Sequence, residues 1–181
     1  MKSKRNLIIG VCALVVIIAG AVIAYQFLSD NVELTPPQQE QDQQQSPAAG
    51  FTVEDTAGNA AALADIVGPV VLNFWTTWCP SCTRMLPVLD TLYHEFGDEV
   101  TFMMINLVGS RGENPVRSLA YIEDRGYAFP IYFDTASEAA RAFGVRYLPT
   151  TVFINADGSS RQIVGQRPEA ELRQYIEQIL G

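Results

Sequence analysis

An α/β domain built on a mixed β-sheet is predicted for residues 51–181, and three features predict it. Short β-rich runs alternate with segments of helical spacing. Asp157-Gly158, a strong hairpin signal, separates the last two of those runs. A single helix then closes the chain. Strand–helix alternation calls for parallel pairing, and the terminal hairpin adds antiparallel strands.

Taken in order, Val70 to Trp75 is the first β-rich run. Pro80 to Phe96 has helical spacing, with Met85, Leu89, Leu92 and Phe96 at steps of four, three and four. Gly97 stands where a C-cap glycine belongs, and Pro87 inside the segment predicts a kink. Val100 to Leu107 is almost continuously apolar, as expected for a strand covered on both faces. Its Phe102-Met103-Met104 stretch reads as core, not as a cofactor pocket. Pro115 to Arg125 reads as a helix closed by Gly126, Ala128 to Phe133 as a strand, and Ser137 to Phe143 as a short helix closed by Gly144. Thr150 to Asn155 and Ser160 to Gly165 flank the hairpin turn. Pro168, followed by Glu169 and Glu171, opens the last helix, with Leu172, Ile176 and Ile179 as its buried stripe. No internal repeat and no second globular domain is visible.

The segment ahead of this domain sets an expected compartment. Residues 1–6 carry Lys2, Lys4 and Arg5. Residues 7–28 then run without a charge, and at about 1.5 Å per residue they reach roughly 33 Å, enough to span a bilayer core. The basic cluster keeps the first six residues cytoplasmic and puts the body outside. A cleaved signal peptide is the rival reading, but a signal core runs about 7–15 residues and this one is longer. A single-pass signal-anchor in the cell membrane is therefore expected, with Cys12 a small apolar residue within it. Residues 29–50, rich in Pro and Gln, form a linker spanning about 25 Å, either a reach toward a membrane partner or a plain spacer.

Composition excludes more than it assigns. With 48% hydrophobic and 18% charged residues, the chain can bury a core and is not disordered as a whole. After residue 28, nine arginines face twenty carboxylates, a net of −11, and no Lys follows Lys4. So acidic a body disfavours binding to nucleic acid. With Cys12 in the expected span, two Cys and one His fall short of a four-ligand zinc site, so no metal is expected. No Gly-rich phosphate loop or nucleotide motif appears, so no cofactor is expected.

The chemistry concentrates in Trp78-Cys79-Pro80-Ser81-Cys82, at the end of a predicted strand and the start of a predicted helix. A helix N-terminus offers free N–H groups and about half a positive charge, which stabilise a thiolate. Pro80 fits a first helical turn, where its missing N–H costs nothing. Cys82, three residues on, is placed to attack a mixed disulfide formed at Cys79. Cys79 is thus the expected exposed nucleophile, and Cys82 the more buried resolving thiol. A permanent staple is the duller alternative, but so short a loop gives only about 2 kcal/mol. A redox-active Cys79–Cys82 couple is the reading adopted.

Val71-Leu72-Asn73-Phe74-Trp75-Thr76-Thr77-Trp78-Cys79-Pro80-Ser81-Cys82 resembles the active-site strand and helix start of thioredoxin-like proteins, closest to the membrane-anchored TlpA/ResA family. Tyr147-Leu148-Pro149-Thr150-Thr151-Val152-Phe153-Ile154 resembles that family's cis-proline loop and following strand, and Asn155-Ala156-Asp157-Gly158 its hairpin turn. The resemblance covers residues 51–181 and implies a thioredoxin-like fold. It also implies that Pro149 is cis and faces the disulfide, with the Leu148–Pro149 backbone pairing with substrate. On its own residues, Pro149 reads equally as a trans proline at a strand start.

Two departures from minimal thioredoxins matter. Asn73 replaces a buried Asp six residues before the first active-site Cys and cannot titrate. Glu113 is a substitute carboxylate or, in the duller reading, a solvated loop acid. The 41 residues between Leu107 and Pro149 exceed the minimal spacing and predict an added helix–strand unit. Trp78 is expected beside the thiol, Trp75 either there or in the core, and His94 on the surface. The resemblance implies a reductase of disulfides in client proteins, in cytochrome c maturation or methionine sulfoxide reductase pathways. It implies electrons from a membrane donor of the CcdA/DsbD type. A dithiol oxidase and a redox-inert scaffold are the alternatives.

Overall fold

Residues 50–181 are described in a computed structural model, and their backbone forms seven strands and four α-helices, with short 3-10 turns at Leu63–Asp65 and Ser110–Gly112. In chain order these are β1 (Thr52–Glu54), β2 (Ala60–Ala62), β3 (Val70–Trp75), α1 (Pro80–Phe96), β4 (Thr101–Asn106) and α2 (Pro115–Glu123). There follow β5 (Ile131–Phe133), α3 (Glu138–Ala142), β6 (Thr150–Ile154), β7 (Ser160–Val164) and α4 (Glu169–Leu180). One sheet holds all the strands in the order β2-β1-β5-β4-β3-β6-β7. β3, β4 and β5 run parallel, while β6 pairs antiparallel with β3 and β7 with β6.

The central position of β3 explains its composition. All six of its residues are buried, because helices or loops cover both faces of an interior strand. Val71 and Trp75 join the cluster under α1, α2 and α4, with Leu86, Leu89, Ile122, Leu172 and Ile176. Leu72 and Phe74 point the other way, to Phe51, Val53, Ala139 and Phe143. Phe102, Met103 and Met104 are core on the same alternating scheme.

Several boundaries differ from expectation for identifiable reasons. The hairpin β1/β2 has no counterpart in the sequence reading, because three-residue strands of Thr-Val-Glu and Ala-Ala-Ala carry no usable period. β5 starts at Ile131, not Ala128: the Ala128 amide bonds the Asp90 carboxylate at 2.7 Å, and Pro130 has no N–H for the ladder. α2 ends at Glu123, where the Arg125 and Gly126 amides turn back to Ile122 and Glu123 and Gly126 takes φ +67°. Gly97 caps α1 with φ −64°, a right-handed conformation. Space selects glycine there, since a Cβ would stand 2.6 Å from the Tyr93 carbonyl oxygen.

Between β4 and β6 the chain inserts α2, β5 and α3, and β5 extends the sheet, which is the added helix–strand unit. Residues 1–49, with the expected membrane span 7–28, Cys12 and all but the last residue of the linker, lie outside the described residues. Among the described residues no helix is long and apolar enough to cross a membrane.

Candidate active site

Three segments meet at one end of the sheet. β3 and β4 are parallel and both finish there, and β6 begins there, with Thr150 opposite Phe74. The loop after β3 delivers Cys79, the loop after β4 delivers Glu113, and the loop before β6 delivers Pro149.

Cys79 is the N-cap of α1 and Pro80 its first helical residue. The Cys79 sulfur accepts the Cys82 amide at 3.2 Å, so this side chain takes the place that Ser or Asp fills at other helix starts. Cys79 and Cys82 form a disulfide with Cα atoms 5.2 Å apart. The N-cap position and the helix dipole both stabilise negative charge on the Cys79 sulfur when the pair is reduced.

The expectation of an exposed Cys79 needs correction. Its relative exposure is 6%, against 1% for Cys82, so both sulfurs are covered. Cys79 turns back over the first helical turn to reach the Cys82 amide, and it belongs to the cluster that Trp78, Val108 and Leu148 flank. The order of exposure is as expected, but the difference is small.

Glu113 also departs from the solvated reading, being 2% exposed. Its Oε1 accepts the Thr77 amide at 3.0 Å and Asn106 Nδ2 at 2.8 Å, while its Oε2 accepts the Thr77 hydroxyl at 2.6 Å. Ser118 Oγ donates to Asn106 Oδ1 at 3.3 Å, and Arg117 Nε donates to Thr77 Oγ1 at 2.8 Å. This carboxylate therefore fixes the loop that carries Trp78 and Cys79. A buried acceptor with three donors is satisfied without water.

The remaining residues fall around this centre. Asn73 is fully buried on the α1 side of β3 and donates to Thr151 Oγ1 at 2.9 Å. The Leu148–Pro149 peptide is cis. The Pro149 carbonyl accepts the Gly165 amide at 2.7 Å, and Leu148 packs against the cluster holding both cysteines. Trp78 is half-buried, donates through Nε1 to the Ser110 carbonyl at 3.1 Å, and lies under the Arg111 guanidinium, 4.6 Å from the ring centroid. Ser81 Oγ accepts from Arg84 Nη2 at 3.2 Å. Trp75 is core, and His94 is a surface residue 3.6 Å from Asp90.

Sequence reasoning missed Thr77, Asn106, Arg111 and Arg117. Asn106 was the one available signal. A polar residue at the end of an apolar strand needs a buried partner, and Glu113 is the nearest acid downstream.

Comparison with known proteins agrees with this geometry. Residues 44–163 match the AhpC/TSA family. The chain is 31% identical over 187 residues to the thiol-disulfide oxidoreductase ResA of Bacillus subtilis, covering 97% of this chain and 94% of that protein. The crystal structure of StoA from Bacillus subtilis superposes with a TM-score of 0.63 at 25% identity, covering 72% of this chain and 98% of that one. A thiol:disulfide interchange protein of the thioredoxin family from Chlorobium tepidum TLS gives a TM-score of 0.65 at 26% identity, covering 75% and 97%. The chain belongs to the AhpC/TSA family, as a thioredoxin-like thiol-disulfide oxidoreductase of the ResA type.

Proposed function

We propose that this oxidoreductase works as a membrane-tethered reductase of client disulfides on the outer side of the cytoplasmic membrane. The observation that carries the reading is the pairing of Cys79, N-cap of α1, with Cys82 beside the cis Leu148–Pro149 loop. In this reading the Cys79 thiolate attacks one sulfur of a client disulfide and expels the other as a thiolate, which takes up a proton. The Cys82 thiolate then attacks the Cys79 sulfur and releases the second client thiol. The client gains two electrons, and the chain is left with the Cys79–Cys82 disulfide.

Leu148 and Pro149 would guide the client backbone, while Trp78, Pro80, Ser81 and Asn73 would shape the surroundings of the couple. A membrane dithiol donor of the CcdA/DsbD type would restore the reduced pair. Clients in cytochrome c maturation or methionine sulfoxide reductase pathways follow from the family resemblance. Tethering rests on the uncharged stretch 7–28 behind three basic residues, and residues 29–50 as linker would keep domain 51–181 near the donor.

The direction is tested by equilibrating the Cys79/Cys82 pair of the full chain against defined thiol buffers. A reductase gives a potential near or below about −270 mV. A value near −120 mV, typical of strong oxidants, would overturn the reductase assignment.

A further inference from the structure

The arginines of this domain divide by place. All nine lie between Arg84 and Arg173, in a domain that carries sixteen carboxylates after residue 50. Arg125 pairs with Asp124, Arg167 with Glu171, and Arg173 with Glu95 and Glu169. Arg84, Arg111, Arg117, Arg141 and Arg146 are exposed and have no carboxylate at ion-pair distance among the described residues, and Arg141 donates to the Ala136 carbonyl. With acids in such excess, so many unpaired guanidinium groups are unexpected, and four of the five, all but Arg141, fall on the segments that carry the cysteines and the cis proline.

Three of these four contact the segment that carries the cysteines, and the fourth precedes the cis-proline loop. Arg84 bonds Ser81, inside the Cys79–Cys82 turn. Arg111 lies over Trp78, the neighbour of Cys79. Arg117 bonds Thr77, two residues before Cys79. Arg146 stands three residues before the cis proline, beside the exposed Tyr147. Arg111 carries a second mark. It sits at φ +50° in a turn whose neighbours Gly109 and Gly112 are the usual left-handed residues, so the one side chain forced into that conformation is the one laid on Trp78.

We infer that these four arginines form a cationic rim that selects client segments with acidic residues flanking the disulfide. The inference rests on the thiol-disulfide reading above and names its substrate class. Carboxylates are the natural partners of guanidinium groups. The rest of the domain is net negative, so an acidic client is repelled elsewhere and drawn only to the rim, which orients it for exchange. A polypeptide is the occupant because the arginines sit on the segments that carry the redox pair and the cis proline.

The test uses the reduced full chain in neutral detergent and three peptides with the same disulfide, flanked by Glu, Gln or Lys. The Glu peptide should be reduced about ten-fold or more faster than the Lys peptide at low ionic strength. That ratio should collapse toward one in roughly 0.5 M salt. Combined Arg84→Gln, Arg111→Gln, Arg117→Gln and Arg146→Gln should abolish the preference. Because Arg117 and Arg84 also make hydrogen bonds, the Arg111→Gln/Arg146→Gln pair is the safer variant and should lower the ratio about three-fold or more. Arg125→Gln/Arg141→Gln, away from the rim, should leave it intact.

Equal, measurable rates for the three peptides overturn the proposal alone. No exchange with any peptide overturns the reading of function and the proposal with it. A Gln-peptide rate that falls when phosphatidylglycerol joins the micelles, in the parent but not in the arginine variant, assigns the rim to lipid and overturns the proposal.

Discussion

Glu113 grips Thr77 with both carboxylate oxygens, one taking the backbone N–H at 3.0 Å and the other the hydroxyl at 2.6 Å, across 36 residues of sequence. The contact ties the loop after β4 to the loop that presents Cys79. Removing the carboxylate leaves the half-buried Thr77 amide without its acceptor and the buried Asn106 Nδ2 with only the Trp75 carbonyl, at 3.5 Å. Glu113→Ala should therefore destabilise by about 2–4 kcal/mol, and Glu113→Gln, which keeps one acceptor oxygen, by about half that. Urea unfolding of both variants against the parent checks the order.

Gly97 gives a prediction whose sign is decided by space. At φ −64° an alanine is conformationally acceptable, and on that ground Gly→Ala stabilises by about 0.4–1 kcal/mol. The added Cβ would stand 2.6 Å from the Tyr93 carbonyl and 3.0 Å from its ring. Overpacking of this kind costs about 1–3 kcal/mol, so Gly97→Ala should lower the thermal midpoint. Thermal unfolding of the variant decides it, and an increase would mean that the end of α1 yields freely.

Acid stability should follow two turn carboxylates. Hydrogen bonds from Asn59 hold Asp55 below its ordinary value, and bonds from Ser159 do the same for Asp157. A carboxyl whose folded value is depressed stabilises the fold above its unfolded value and ceases to do so as pH falls through the folded one. Stability should thus be flat between about pH 7 and 5 with respect to these groups and decline below about pH 4. The urea midpoint of the Asp55→Asn/Asp157→Asn variant should vary less steeply with pH below 4 than that of the parent.

Division of labour between the two sulfurs is accessible by trapping. Cys82→Ala should halt exchange at a covalent adduct with the client, dissolved by dithiothreitol, whereas Cys79→Ala should form none. Non-reducing electrophoresis of the two variants after incubation with a disulfide-bonded substrate shows which pattern holds. Client binding that survives in Cys82→Ala without an adduct would instead favour the scaffold reading.

Much of the fold was legible because its elements are long or punctuated. Pro80 and Phe96 bound α1, Asp157-Gly158 marks the β6–β7 turn, and the Leu172, Ile176 and Ile179 stripe marks α4. The hairpin β1/β2 was not legible, since its stability lies in pairing with β5 and in the burial of Phe51 and Val53. At the site, local chemistry singled out Cys79 and Cys82, whereas Pro149 was singled out only by the resemblance of its segment to a family loop. What stayed hidden was tertiary. Nothing near Glu113 in sequence says that the amide of Thr77 lies opposite, or that Arg111 reaches Trp78. Contacts between loops at the ends of neighbouring strands have no periodicity to reveal them.

The placement of β3 between β4 and β6 also bears on how small a working piece of this chain can be. Asn73 on β3 bonds Thr151 on β6, 78 residues later. Because the strand leading into the cysteine turn borrows one neighbour from each half of the sheet, the domain cannot be cut into a redox half and an accessory half. A fragment ending before Thr150 would keep both cysteines yet leave one long edge of β3 bare, with the backbone groups that had paired with β6 unpartnered and Leu72 without its neighbour Val152. The Cys79–Cys82 turn is local in sequence, but the platform beneath it is completed only by the last thirty residues or so. Nonsense or frameshift changes far downstream of the cysteines are therefore expected to be as damaging as changes beside them.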